Sequence, residues 1–205
     1  MKVAALYDVH AMPWALEAVL AEVEADAIVI GGDFLGGPCP EETVGIIRSL
    51  DATVIRGNAE EGDPWGSTLP LTAELDGVLY CHATPTSNTP MTTVFTPEED
   101  IRAMFGGVTG TVVIGHTHHQ FDRRVGDLRV VNAGSVGMAY EGDVAAFWTL
   151  VTDGEPAFKR TPFDIERAIA AIRASGWEPA EEFIAENLLV AVTREEAIAA
   201  FEAQR

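Results

Sequence analysis

Two imidazoles one residue apart, His116 and His118, close the apolar run 111–114 in the segment Gly115-His116-Thr117-His118. Imidazole nitrogen is a common ligand for divalent transition ions. If the chain stays extended past the strand, both rings point to one side, because side chains alternate with period two. Gly115 lets the backbone turn as the strand stops. Such a pair is weak evidence alone, but four other apolar runs also end on oxygen or nitrogen donors. Asp8 and His10 follow the first, Asp33 follows Gly31-Gly32, Asn58 follows Arg56-Gly57, and His82 closes a fourth. Each has an ordinary explanation by itself: an Asp after a strand caps a helix or forms a turn, and Gly-Asn is turn chemistry. Together they resist it, since four of the five histidines fall in this set and only His119 is left over. The set holds oxygen and nitrogen donors and no thiolate, which suits Mn, Fe, Zn or Ni. Seven donors are too many for one tetrahedral ion and suit two ions sharing a carboxylate, about 3.5–4 Å apart, a device that recurs in phosphate ester hydrolysis.

The donors need a scaffold that brings strand ends together. Residues 3–7, 27–30 and 53–55 read as short buried strands, separated by helical stretches at 13–25 and 40–50 that open on Pro13 and Pro40. This alternation predicts parallel strands, whose carboxyl ends gather ligands on one edge. Residues 71–75 and 78–81, joined by Asp76-Gly77, predict a hairpin. Residues 83–93 read as a loop, and Thr96-Pro97-Glu98-Glu99 as a capping box opening a helix. After the 111–114 strand, runs at 121–125, 128–131, 144–151 and 157–159 suggest an antiparallel half supplying a second sheet. Asp164 and Gly176 bracket a helix, a short helix is expected near 180–189, and Thr193 with Glu196 makes a capping box for the last one. Residues 1–205 are expected to be a single domain, with 164–205 an acidic outer helical layer.

A chain of 205 residues supports one sizeable core, and 47% apolar with 22% charged residues is ordinary for a globular protein. The formal charge of −19 argues against nucleic acid or an anionic membrane as partner, since both demand basic surface. An anionic substrate would need local cations, which bound metal would supply. Cys39 and Cys81 form no CxxC and suggest no disulfide framework. The start is not patterned as a signal peptide and no run approaches a membrane span, so a cytoplasmic location is expected. No GxGxxG or GK[ST] signature is present, which argues against the common nucleotide-binding loops.

The ordered set Asp8-x-His10, Gly32-Asp33, Gly57-Asn58, His82 and Gly115-His116-x-His118 resembles the calcineurin-like metallophosphoesterase superfamily. The resemblance runs from residue 1 to about 135 and includes Asn132-Ala133-Gly134-Ser135, similar to the Asn-Pro-Gly-Ser segment of the small bacterial branch related to the YfcE phosphodiesterases. It implies an α/β fold in which two β-sheets pack face to face as a sandwich flanked by helices. It implies one metal on Asp8, His10, Asp33 and His118, and a second on Asp33, Asn58, His82 and His116, with Asp33 as the bridge. It implies a dinuclear-metal-dependent phosphoesterase hydrolysing phosphodiesters or nucleotide phosphates by a metal-bridging hydroxide, with no protein nucleophile and with Mn the expected metal in vitro. The partner would be a small-molecule phosphoester or nucleotide, met by Asn58 and Arg56; a homo-oligomer stays open.

The sequence departs from the family's pattern at three places. Ala11 and Ala83 stand where relatives carry glycine, and Ala59 stands where many carry a histidine that protonates the leaving group. His119, Arg56, Arg123 and Arg124 are expected as solvated surface residues rather than substitutes for it. The competing class is a non-catalytic protein-interaction scaffold, as in a retromer subunit of the superfamily; retention of all seven donors favours the enzyme.

Overall fold

The strand nearest the N-terminus sets the architecture. In β1 (Lys2–Leu6), Val3 and Ala5 point to one face and Ala4 and Leu6 to the other, and all four are buried. A strand buried on both faces must be covered by two layers and paired on two edges. The computed structural model, which describes residues 1–204, meets both needs. On one edge β1 pairs in parallel with β2 (Ala27–Ile30), which pairs in parallel with β3 (Ala52–Val54). The crossovers are α1 (Pro13–Glu22) and α2 (Pro40–Ser49), each with proline in its first turn.

The second sheet contains β4 (Thr72–Leu75), β5 (Val78–Cys81), β6 (Gly110–Ile114), β7 (Phe121–Val125) and β8 (Leu128–Asn132), in the order β4-β5-β6-β8-β7. Asp76 and Gly77 take φ of 53° and 73°, the left-handed pair that a two-residue hairpin turn requires. The expected antiparallel half does not form one sheet. β7 is antiparallel to β8, but β8 runs parallel to β6. The hairpin of β9 (Ala146–Thr152) and β10 (Glu155–Thr161) crosses over and pairs β9 with the open edge of β1. That edge carries the unanswered hydrogen-bonding groups of a buried strand, and β9, buried along most of its length, satisfies them.

The two sheets face each other across Val3, Ala5, Tyr7 and Val29 on one side and Val78, Tyr80, Val113 and Val131 on the other. Tyr7 spans the gap, its hydroxyl donating to the Val113 carbonyl at 3.0 Å. Helix α3 (Glu98–Phe105) covers the outer face of the second sheet through Ile101 and Phe105. The outer face of the first sheet packs on α1, α2, α4 (Ile165–Ser175) and α5 (Ala180–Asn187). Ile172, Phe183 and Ile184 join that core; at about 1.5–3 kcal/mol per buried side chain, their docking holds helices too short to persist alone.

Asp164 caps α4 by accepting from Arg167 N, and Gly176 ends it at φ 71°. Thr193 and Glu196 form the expected capping box of α6 (Arg194–Glu202). The box expected at Thr96 is absent. Its hydroxyl oxygen turns back to accept from Thr93 N at 2.9 Å, leaving Pro97 to start α3 without a side-chain cap. Among the described residues, no helix is long and apolar enough to cross a membrane.

Candidate metal centre

β1, β2 and β3 run parallel, and so do β5 and β6, so the ends that carry donors project from shared edges. Asp8 and His10 follow β1, Asp33 follows β2, Asn58 follows β3, His82 follows β5, and His116 and His118 follow β6. The facing of the sheets then brings them together. Asp8, His10 and His118 form one cluster, and Asp33, His82 and His116 another, each with its ligand atoms within 4.8 Å of one another. The clusters adjoin: His82 Nε2 lies 3.4 Å from Asp33 Oδ2 and 3.9 Å from Asp8 Oδ1. His118 Nε2 lies 3.3 Å from Asp8 Oδ1 and 3.1 Å from His10 Nε2.

The surroundings aim these atoms. His82 Nδ1 donates to the Gly31 carbonyl at 3.0 Å and His118 Nδ1 to the Met138 carbonyl at 2.7 Å, so each ring turns Nε2 toward the clusters. Asp8 Oδ2 accepts from His116 N at 2.9 Å, and Asp33 Oδ1 from Ala59 N at 2.7 Å. Three atoms are left over. Asp8 Oδ1, Asn58 Oδ1 and His82 Nε2 are buried without a hydrogen-bond partner. A buried polar atom left unanswered costs about 1–3 kcal/mol. Here they are two oxygens and an imidazole nitrogen, the donor chemistry of a divalent transition ion, so the residues present fit such an ion.

The electrostatics agree. Burial pushes Asp8 and Asp33 up, but facing imidazoles, His118 for Asp8 and His82 for Asp33, outweigh it and hold both carboxyls below their ordinary range. Burial pushes His82 down, yet Asp33 and Asp8 outweigh it and hold the ring up at about 9. Positive charge is favoured between these two carboxylates, and a divalent ion would supply it there. Burial, with His118 adding, takes His10 down to about 4.

The backbone is unusual at the same residues. Asp8, His10, Asp33, His116 and His118 all have positive φ, between 47° and 69°. The expectation of an extended segment aligning His116 with His118 is therefore overturned. At φ 69° and 55° the chain coils, and the two rings part, one to each cluster. Hydrogen bonds from Asp8 N to Gly32 O, His10 N to Asp33 O and Ala11 N to Phe34 O hold the coiled loop in place. Gly57 and Gly115 allow the carboxylates in: a Cβ would lie 2.1 Å from Asp33 Oδ1 at Gly57 and 2.4 Å from Asp8 Oδ2 at Gly115.

Several residues that shape the site carry no metal-ligand signal in the sequence. The buried Glu60 carboxylate accepts from Asp33 N, Leu35 N and Gly57 N at 2.7–3.0 Å, tying the Asp33 and Asn58 loops together. Asn132 donates to Gly115 O and Thr117 Oγ1, and Ser135 donates to Asp8 O, so this segment braces both ligand loops. The Tyr140 ring stacks on His118 with centroids 4.9 Å apart. His119 is not the surface residue expected: it is fully buried, its Nδ1 donates to Thr117 O, and burial takes it down to about 4. Arg56 and Arg123 are half-buried and donate to main-chain carbonyls, Arg56 to Ser67 and Arg123 to Val94; Arg124 alone is exposed as expected.

The profile of the calcineurin-like phosphoesterase superfamily domain matches residues 1–155. Among solved structures, a metallophosphoesterase from Sphaerobacter thermophilus is 22% identical, with a TM-score of 0.76 over 94% of this chain and 100% of that one. The Yfce phosphoesterase from E. coli is 20% identical with a TM-score of 0.52 over 80% of this chain and 100% of that one. Zinc-complexed Vps29 from Entamoeba histolytica is 19% identical, with a TM-score of 0.51 and the same coverage. No curated sequence matches the chain.

Proposed function

The chain belongs to the calcineurin-like phosphoesterase superfamily, and we propose that it hydrolyses phosphate esters with the help of two divalent cations. Asp8, His10, Asp33 and His118 would hold one ion, and Asp33, Asn58, His82 and His116 the other, with Asp33 bridging. The observation that carries this reading is the pair of unanswered atoms where the two clusters meet, Asp8 Oδ1 and His82 Nε2, with Asn58 Oδ1 also unanswered on the loop that Ala59 N ties to Asp33. Bound cations would supply Lewis acidity at the phosphoryl oxygens and would lower the pKa of water toward neutrality.

The chain's own residues set the rest. Asp8 and Asp33 stay ionised and ready as ligands, held so by the imidazoles around them. Asn58 adds a ligand without adding negative charge, which keeps the site open to an anionic substrate, and half-buried Arg56 supplies a cation next to it. Ala59 has no proton to give to the leaving oxygen, so hydrolysis should slow steeply as leaving-group pKa rises. Nitrophenyl esters and nucleotides leaving as phosphate should be the better substrates, and phosphodiesters or nucleotide phosphates are the class we favour. A flat dependence, with chemistry limiting the rate, would mean that another group donates the proton.

Manganese is the metal we expect to support activity in vitro, and the cytoplasm the compartment; a homo-oligomer is compatible with the fold. Residues 1–205 are read as one domain because α4 and α5 share a core with the first sheet. The acidic surface disfavours nucleic acid. Elemental analysis of protein saturated with Mn²⁺ tests the site: two ions per chain are expected, and no more than one specifically bound ion counts against the dinuclear assignment. A non-catalytic scaffold on the same fold is the alternative, and it gains only if metal binds without turnover of any ester.

A further inference from the structure

We propose that a cavity beside the second cluster is the subsite for the alcohol half of the ester, and that it takes one neutral, sugar-sized polyol. The inference deepens the phosphoesterase reading and rests on it. The cavity has a volume of about 330 Å³ and includes Asn58 in its wall. Thr89, also in the wall, brings its carbonyl within 3.3 Å of His116 Nε2, so the cavity adjoins the cluster. Four other cavities on the molecule touch none of the seven donors.

Its lining defines the occupant. Thr86, Ser87, Asn88 and Thr89 offer hydroxyls and an amide, groups that both donate and accept, as the hydroxyls of a sugar do. Arg56 and Glu61, the charged residues of the wall, are of opposite sign and leave it with no net charge, which suits a neutral group rather than a second phosphate. Leu71 is the one apolar side chain of the wall, too little for an aryl or lipid alcohol. Ligand cavities run from about 300 to 1,000 Å³, so this one fits a single ring better than a dinucleoside.

The wall is preformed and has unmet hydrogen-bonding capacity. Ser87 N donates to Thr84 Oγ1 at 3.1 Å and Thr84 N to Ser87 O at 3.0 Å, closing the turn that presents residues 86–89. The Arg56 guanidinium is clamped by its bond to Ser67 O at 2.8 Å. Arg56 Nε and Asn88 Oδ1 are buried and have no partner within the protein. Prearranged polar groups bind with less ordering cost, so a weak neutral ligand gains measurable affinity from them.

The test uses ligand-detected NMR of Mn-free, Mg²⁺-loaded protein with free D-glucose, free D-ribose and 4-nitrophenol. The parent should bind the sugars in preference to nitrophenol. Asn88→Leu removes an amide and Thr86→Trp fills the cavity; each should weaken sugar binding about tenfold, the scale of one lost hydrogen bond, with metal content still two per chain. Preference for nitrophenol, or sugar binding unmoved in both variants, overturns the inference. A protein that hydrolyses esters but binds neither sugar also overturns it and leaves the phosphoesterase reading standing. Sugar binding lost in the variants, in a protein that hydrolyses no ester, overturns that reading instead.

Discussion

At the scale of residues, the site depends on conformations that L residues avoid. Five candidate ligands sit at positive φ, a conformation costing about 1–2 kcal/mol each, and their neighbours must enforce it. Gly57 is one such neighbour. Gly57→Ala would drive a methyl into Asp33 Oδ1, so Mn²⁺ titration calorimetry should show the second cluster weakened or lost. Glu60 is another. Glu60→Ala strands three N–H groups, two of them buried, an expected loss of about 3 kcal/mol, or about 6–12 °C in melting temperature for a chain this size. Glu60→Gln, which keeps one acceptor oxygen, should fall between. Thermal unfolding of the three proteins checks the order. The donors themselves are legible in the sequence because a donor after an apolar run is a local pattern. The φ values at His116 and His118 are not, since the loop's backbone is held by partners distant in sequence, Asp8 for His116 N and Tyr140 N for His118 O. Burial of His119 is hidden for the same reason: it depends on what packs over the loop.

Among the elements, the strand and helix segments follow from hydrophobic periodicity and from Pro13, Pro40, Asp164 and Thr193, while their partnership does not. The β9–β10 hairpin reads as a strand pair in the sequence, but only the bare edge of β1 decides which sheet it joins. Arg129 then ties the sheets together. From β8 it donates to Asp122 on β7 through Nε at 2.8 Å and a second nitrogen at 2.7 Å, and to Glu155 on β10 at 2.8 Å. These bonds to Arg129 hold the Asp122 carboxyl below its ordinary value. A carboxyl whose pKa is lower folded than unfolded stabilises above the unfolded value, about 3.9, and loses that contribution as pH falls through the folded value. Arg129→Met should therefore lower the melting temperature at pH 7, with the gap to the parent narrowing below about pH 4. A gap that stays constant with pH would assign Arg129 a packing role alone.

For the whole molecule, the last helix reaches the site. Phe201 on α6 packs against Tyr140 at 6.2 Å between centroids, and Tyr140 stacks on His118. Thr93, in the loop before α3, donates to Glu202, and Arg194 pairs with Glu141. Phe201→Ala should loosen Tyr140 and weaken Mn²⁺ binding at the first cluster more than at the second, read by calorimetry. The net charge of −19 adds a global bias: a fold that gathers carboxylates within an acidic surface gains from any cation bound to the native state. EDTA should lower the melting temperature and Mn²⁺ restore it. The most direct test of the central claim is the hydrolysis rate of a nitrophenyl phosphate ester by EDTA-stripped protein on return of Mn²⁺. The account predicts no turnover before Mn²⁺, recovery after it, and loss of that recovery in Asp8→Asn/His116→Ala. Equal rates for the double variant and the parent would contradict it.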